Sequence, residues 1–248
     1  MTPKYSLLLV ALLALVMSAC VDTAKSVEQA KQMLENQQPR QAVELLNRAI
    51  KNGGESADLF NMRGVAYFSL QEFDNALLDY DRAIALDKRN YKPFYNRALV
   101  KEALQNYQGA IEDYSQAIAL AIDEADLYLN RAAVFATTGD TAAAFRDLNK
   151  TLELRPEDAM AHYNRGNILY RNAEWPAASE DFRAAIRADA KFARAHFALA
   201  LSLLQQSPEQ SEQPCLHLQQ AKRLGHPEAE ALLEKYCRNT SDQTPNKQ

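Results

Sequence analysis

Residues 61–87 read NMRGVAYFSLQEFDNALLDYDRAIALD. The same order of small, charged and aromatic residues returns at 96–120, NRALVKEALQNYQGAIEDYSQAIAL, and at 164–189, NRGNILYRNAEWPAASEDFRAAIRAD. Working outward, Ala42, Ala76, Ala110, Ala144 and Ala178 follow one another at 34 residues. Seven residues further on, Ala49, Ala83, Ala117, Thr151 and Ala185 repeat the step, and Gly64, Ala98, Ala132, Gly166 and Ala200 form a third series with Ala30 in phase ahead of it. Large residues recur between them at Phe73, Tyr107 and Trp175 and at Tyr80, Tyr114 and Phe182, with Thr141 and Leu148 the weaker members. Several independent positions therefore hold phase over five units, the mark of a tandem repeat.

This pattern resembles the tetratricopeptide repeat, over roughly residues 23–206. The resemblance implies an all-α fold: a right-handed superhelical stack of antiparallel helix pairs, five to six repeats long, closed by a C-terminal capping helix. The units fall at about 23–56, 57–90, 91–124, 125–158 and 159–192, with 193–206 opening the last. Small residues sit where paired helices approach closely, and aromatics fill the gaps. One hairpin cannot bury its apolar faces alone, but stacked neighbours bury a continuous core. Turn signals stand at Gln37-Gln38-Pro39, Gly53-Gly54, Gly139-Asp140 and Arg155-Pro156; Pro39 and Pro176 lie in first helical turns, where proline is tolerated. The last unit carries a polar insertion, SPEQSEQP. A cap over 207–238 and a disordered tail over 239–248 are expected after it.

Composition agrees with helices: Gly is scarce, at 7 residues. A formal charge of -4 supplies no basic field for nucleic acid.

Residues 1–20, MTPKYSLLLVALLALVMSAC, join Lys4 to an apolar run from Leu7 to Met17 and then to Ser18-Ala19-Cys20. The run is shorter than the roughly 20 residues that span a bilayer and suits a signal-peptide core. The ending resembles the lipobox of bacterial lipoproteins, with Met17 where Leu is usual. That resemblance implies removal of 1–19, lipidation at Cys20 and a lipidated N-terminus over 20–22. Val21, not Asp, follows the cysteine. By analogy with enterobacterial sorting this favours the outer membrane, with the body facing the periplasm. Two or more acyl chains anchor stably where one does not.

Arg63, Arg97, Arg131 and Arg165 keep the 34-residue step, and each is followed 16 residues later by Asp79, Asp113, Asp147 or Asp181 on the partner helix. They predict a ladder of ion pairs that fixes register. Beside three of the arginines stand Asn96, Asn130 and Asn164. Some tetratricopeptide proteins grip a peptide backbone with such asparagines, whose amides offer both donor and acceptor; the alternative is a structural role within the stack. The inner stripe of each first helix, read at i, i+4, i+7, runs Lys92, Asn96, Leu99, then Asp126, Asn130, Ala133, then Met160, Asn164, Asn167, Arg171. Tyr95, Tyr163 and Tyr170 lie alongside. The candidate partner-binding set is thus Lys92, Tyr95, Asn96, Asp126, Asn130, Tyr163, Asn164, Asn167, Tyr170 and Arg171.

Cys215 opens and Cys237 closes a helical hairpin turned at Gly225-His226-Pro227, which sets the two side by side across its open end. With Cys20 acylated and the envelope oxidising, they are expected to form a disulfide. A metal pair completed by His217 or His226 is the alternative, at a spacing that matches no usual zinc pattern. His162 and His196 share one repeat phase and read as packing residues. No G-x-S-x-G, HExxH or Walker pattern occurs. The expectation is a non-enzymatic envelope adaptor that needs no cofactor or metal and no small-molecule substrate. Its partners would be proteins or extended peptides of the envelope, and the membrane through its anchor. The alternatives are a self-associating scaffold and, after it, an enzyme with its site in the groove.

Overall fold

Five turns at one repeat phase set the architecture. Gln37, Gln71, Gln105, Gly139 and Ala173 all adopt left-handed backbone, with φ of 57°, 60°, 60°, 88° and 59°. Each ends the first helix of a pair. At Gln71 the N–H of Glu72 reaches back to the carbonyl of Tyr67 (2.9 Å) and that of Gln71 to Phe68 (2.9 Å). At Ala173 the same two bonds run from Glu174 to Leu169 and from Ala173 to Tyr170. This closure satisfies carbonyls that a helix end leaves unpaired and reverses the chain in three residues. Only Gly139 of the five lacks a Cβ to strain.

The computed structural model describes residues 23–53, 55–206 and 212–237, and the regular structure within them is α-helical. The residues of the expected signal peptide and of Cys20, and the tail from residue 238, lie outside the described residues. The chain divides into two units, one ending at Ile122 and one beginning at Asp123.

The first unit holds α1 (described over 23–35), α2 (Pro39–Gly53), α3 (Ala57–Ser69), α4 (Phe73–Leu86), α5 (Tyr91–Ala103) and α6 (Tyr107–Leu120). Asn90 and Asn106 cap α5 and α6 by accepting from the N–H of Lys92 and of Gly109. Ala30, Ala42, Leu46, Leu59 and Ala66 form one buried cluster; Ala76, Tyr80 and Val100 form another. A Cβ on Gly64 would stand 2.6 Å from Cε1 of Tyr80. The ring therefore lies against bare backbone, which is why the smallest residue occupies that phase.

The second unit holds α7 (Ala125–Thr138), α8 (Thr141–Leu154), α9 (Ala159–Arg171), α10 (Trp175–Ala188), α11 (Ala193–Gln206), α12 (Glu212–Arg223) and α13 (Ala229–Tyr236). Asp140 and Asp158 cap α8 and α9. Gly166 repeats the Gly64 arrangement, 2.7 Å from Cε1 of Phe182 when a Cβ is built on it. Leu169, Ala178, Phe182 and Leu199 close the core around it.

The charged ladder is present, and three of its four rungs reach further than the 16-residue spacing predicts. Arg63 grips Asp79 through Nε and Nη2 at 2.7 and 2.6 Å; Arg97 grips Asp113 at 2.8 and 2.6 Å, Arg131 grips Asp147 at 2.7 and 2.9 Å, and Arg165 grips Asp181 at 2.8 and 2.7 Å. Nη1 of Arg63, Arg97 and Arg165 then donates to Asn47, Asp81 and Asn149 on the second helix of the preceding hairpin. Each of these three arginines thus ties its own hairpin together and holds the previous one. The bond to Asp113 raises the Arg97 pKa above its already high ordinary value, against the opposing effect of burial.

The last hairpin departs from this plan. The reading of 193–206 as an opening half and 207–238 as a separate cap is refined: α11 pairs with α12, and α13 adds the cap. The buried positions Ala178, Phe182 and Ala185 of α10 have counterparts Pro214, Leu218 and Ala221 on α12, 36 residues on instead of 34. The connection is two residues longer, so the residue matching Asp181 is His217. Leu199, fully buried, stands where Arg165 predicts an arginine. His162 bonds Asp181 through Nδ1 (2.9 Å) and the Pro156 carbonyl through Nε2 (2.9 Å). His196 repeats that pose on His217 (3.1 Å) and the Ala190 carbonyl (3.2 Å). The two histidines expected to pack are also polar clips between a helix and a loop. Cys215, in the first turn of α12, is bonded to Cys237, the residue that ends α13, with their Cα atoms 5.7 Å apart. The pair is a disulfide and not half of a metal site.

Candidate functional site

The stripe residues read from the sequence lie on the first helices α5, α7 and α9. In the first unit, Lys92 sits exposed in the opening turn of α5 and Tyr95 packs 6.0 Å from the ring of Tyr114. The Asn96 amide donates to Oδ1 of Asn61 at 2.9 Å. Asn61 is a buried residue on α3 and lies outside the 34-residue series, so no repeat signal points to it. Asn96 therefore links two first helices, the structural role weighed for it above.

In the second unit, Asp126 is taken up by Arg155, 2.5 Å away, at the end of α8. That ion pair turns a predicted contact residue into a clamp between α7 and the end of α8. Asn130 also has a partner of its own. On α9 the picture changes. Tyr163, Asn167 and Tyr170 converge on one cavity of about 260 Å³. Asn164 and Arg171, on the same helix, do not line it. Among the described residues neither Asn164 nor Asn167 has a side-chain hydrogen bond.

The remaining walls come from Phe182 on α10, from Arg194, Phe197, Ala198 and Leu201 on α11, and from His226 and Glu228 in the turn before α13. Sequence reasoning missed the α11 wall, yet the signal was there. Arg194, Ala198 and Leu201 are Met160, Asn164 and Asn167 advanced by 34 residues, the same stripe carried one repeat further. His226 and Glu228 had no such signal, because they follow the lengthened connection.

The cavity is aromatic and carries a few polar groups. The Tyr163 ring lies 4.8 Å from Phe192 and 6.0 Å from Phe182. The Arg194 guanidinium stacks over Tyr163 and Phe192, 5.6 Å from each centroid. It makes no ion pair among the described residues. His226 stacks on Phe197 at 3.9 Å. Burial pushes the His226 pKa below its ordinary value; Glu228 pulls the other way and Arg194 adds to the lowering. This is a small, mostly apolar site with one amide, one unpaired cation and one carboxylate. It has the make-up of a recognition pocket. No group of three metal-ligating side chains occurs among the described residues, and no helix among them is long and apolar enough to cross a membrane.

The family model described as Tetratricopeptide repeat matches residues 27–91, 95–159, 139–190 and 163–210. The chain belongs to the tetratricopeptide repeat family. Tetratricopeptide repeat proteins are generally non-enzymatic scaffolds that bind proteins or peptides. Solved tetratricopeptide structures share the fold at low identity. YrrB, described as a TPR protein with an unusual peptide-binding site, is 22% identical with a TM-score of 0.64, over 78% of this chain and 99% of that one. Pseudomonas aeruginosa pilF is 19% identical with a TM-score of 0.78, over 88% of this chain and 99% of that one. Among curated proteins, sperm-associated antigen 1 of Rattus norvegicus is 27% identical over 75 residues, 30% of this chain. The match spans only 8% of that relative's length.

Proposed function

We propose that the protein is a membrane-anchored adaptor of the bacterial cell envelope. Cys20 carries the lipid, the anchor holds the body at the periplasmic face of the outer membrane, and the inner face of the repeats takes a peptide segment of an envelope protein. Recruitment of this kind serves secretion or pilus assembly, or the placing of peptidoglycan enzymes. The observation that carries the reading is the convergence of Tyr163, Asn167 and Tyr170, three residues of the predicted partner-binding set, on one cavity of a tetratricopeptide repeat chain. An amide without a partner suits a peptide group, which needs both a donor and an acceptor. The peptide-binding site named for YrrB supports the same use of the fold.

The test uses cells that express the full chain, labelled with an alkyne fatty acid, crosslinked and purified through the protein. The label and membrane retention are expected to vanish in Cys20→Ser. A small set of envelope proteins should be captured and then lost in Tyr163→Ala/Asn167→Ala/Tyr170→Ala. An unlabelled wild type would end the anchor reading, and identical capture by the triple variant would end the groove reading. Capture of the chain's own copies alone would make it a self-associating scaffold.

A further inference from the structure

The cavity between α9 and α11 has a chemistry specific enough to define what enters it. Its volume, about 260 Å³, lies below the ~300–1,000 Å³ of sites for drug-sized ligands. It is well above the ~150 Å³ that suffices for one benzene ring. One side chain with a ring fits. Tyr163, Phe182 and Phe197 supply ring faces and edges for offset or tilted stacking with such a guest. Arg194 stands at the rim as an exposed guanidinium held over aromatic faces and lacking a carboxylate. Its neighbours orient it and leave its five donors available, the state in which arginine binds a carboxylate most selectively.

Resting on the peptide-binding reading above, we infer that this pocket recognises an internal, extended segment of a partner protein bearing an aromatic side chain and an acidic side chain two residues apart. The spacing follows from geometry. In an extended chain, residues i and i+2 point to the same side, about 6.7 Å apart. The Arg194 guanidinium lies 5.6 Å from the centroid of Tyr163, a wall of the pocket, so an acid at i+2 or i−2 from the buried ring meets it. Asn167, on the wall formed by α9, takes the intervening peptide group. Asn164, three residues before Asn167 and likewise without a partner, takes the chain beyond it. That continuation requires a segment within a chain and not a chain terminus. Glu228, which also lines the pocket, disfavours a second acid at the buried position.

Fluorescence anisotropy of the full chain in detergent tests this with labelled, end-blocked peptides. The probe is Gly-Ser-Phe-Ser-Glu-Ser-Gly; the comparators replace Phe by Ala, replace Glu by Lys, or end the peptide at Glu with a free carboxylate. The blocked probe is expected to bind best, and either replacement to weaken it by about tenfold or more, through loss of the aromatic anchor or through a lysine set against the Arg194 guanidinium. In the Arg194→Glu protein, whose substitution is at an exposed site, the preference is expected to invert towards the Lys peptide. A random peptide library screened against wild type and Ala198→Phe, which narrows the pocket, separates the two levels of the argument. If library peptides bind and are lost in Ala198→Phe, but show no aromatic and acidic pair, this inference is overturned and the peptide-binding reading survives. If nothing in the library binds, both fall. Tighter binding of the free-carboxylate peptide would overturn the internal segment, and tighter binding of a peptide of residues 238–248 would make the occupant the chain's own tail.

Discussion

The hairpin of α5 and α6 and the hairpin of α11 and α12 begin from the same repeat and are held by different physics. In the first, Asp113 is nearly buried, its side chain 4% exposed, and it receives Arg97 bidentately and Lys101 at 2.8 Å; Arg97 also reaches the hairpin before it. In the second, Leu199 fills the arginine's place, His217 the aspartate's, and the Cys215–Cys237 bond fastens the far end. A rung of the ladder works when a charged pair can be satisfied on every side. At the end of an array that condition fails, and apolar burial with a covalent bond replaces it.

The sharpest way to break this contrast is Asp113→Ala. It leaves the Lys101 ammonium without its carboxylate and the Arg97 guanidinium with Asp81 alone, both side chains being about four-fifths covered. A loss of about 3–4 kcal/mol is expected by urea denaturation, the usual cost of removing one partner of a buried pair. Replacing Arg97 and Asp113 together by Met and Leu should cost clearly less. Equal costs would mean that the pair itself, and not the stranded charge, stabilises the hairpin.

Cys215→Ser with Cys237→Ser should cost about 2–3 kcal/mol, since the bond closes a loop of moderate length. Hydrogen exchange should place the loss in α12 and α13 and leave α5 and α6 unchanged. A loss spread over both units would contradict a local staple.

A smaller effect separates the hairpins by pH. Burial chiefly, with His196 and Arg183 adding to it, holds the His217 pKa below its ordinary 6.5. The unfolded chain therefore takes up this proton first. The stability involved is full above about pH 6.5 and declines as the pH falls below it. His217→Asn, which keeps a polar atom near the Nδ1 position, should melt with a shallower decline between pH 7 and pH 5.5 than the wild type. Parallel declines would remove His217 as the cause.

The smallest expected change is a gain. Ala173 carries a φ of 59° that a side chain resists. Ala173→Gly should stabilise by about 0.5 kcal/mol, strain relief exceeding the entropy of glycine. The same change at Ala177, in the first turn of α10, should destabilise.

These contrasts mark how far the sequence could be read. The 34-residue series carried the helix pairs, the Arg–Asp rungs and the close approach at Gly64, because every one of them is a local rule repeated. The disulfide was legible from the two helices that frame it. The shift of His217 into the aspartate position was not, because it depends on two extra residues in a connection whose alignment only packing fixes. The left-handed Gln71, Gln105 and Ala173 were missed because glutamine and alanine do not announce that conformation as glycine does. At the candidate site, α9 was legible as a stripe. The α11 wall was readable but required carrying the stripe one unit further, and His226 and Glu228 arrive only with the fold. Asn96 and Asp126 have partners within the fold, Asn61 and Arg155, that no repeat series signals.

The central claim is that partners enter at the cavity between α9 and α11. A photo-crosslinking residue placed in living cells at Ala198, inside it, and separately at Leu78, an exposed residue of α4, tests that most directly. A discrete adduct is expected from Ala198 that disappears in Arg194→Glu, and none of that mass from Leu78. The same adduct from both positions, or an Ala198 adduct indifferent to Arg194→Glu, would contradict it.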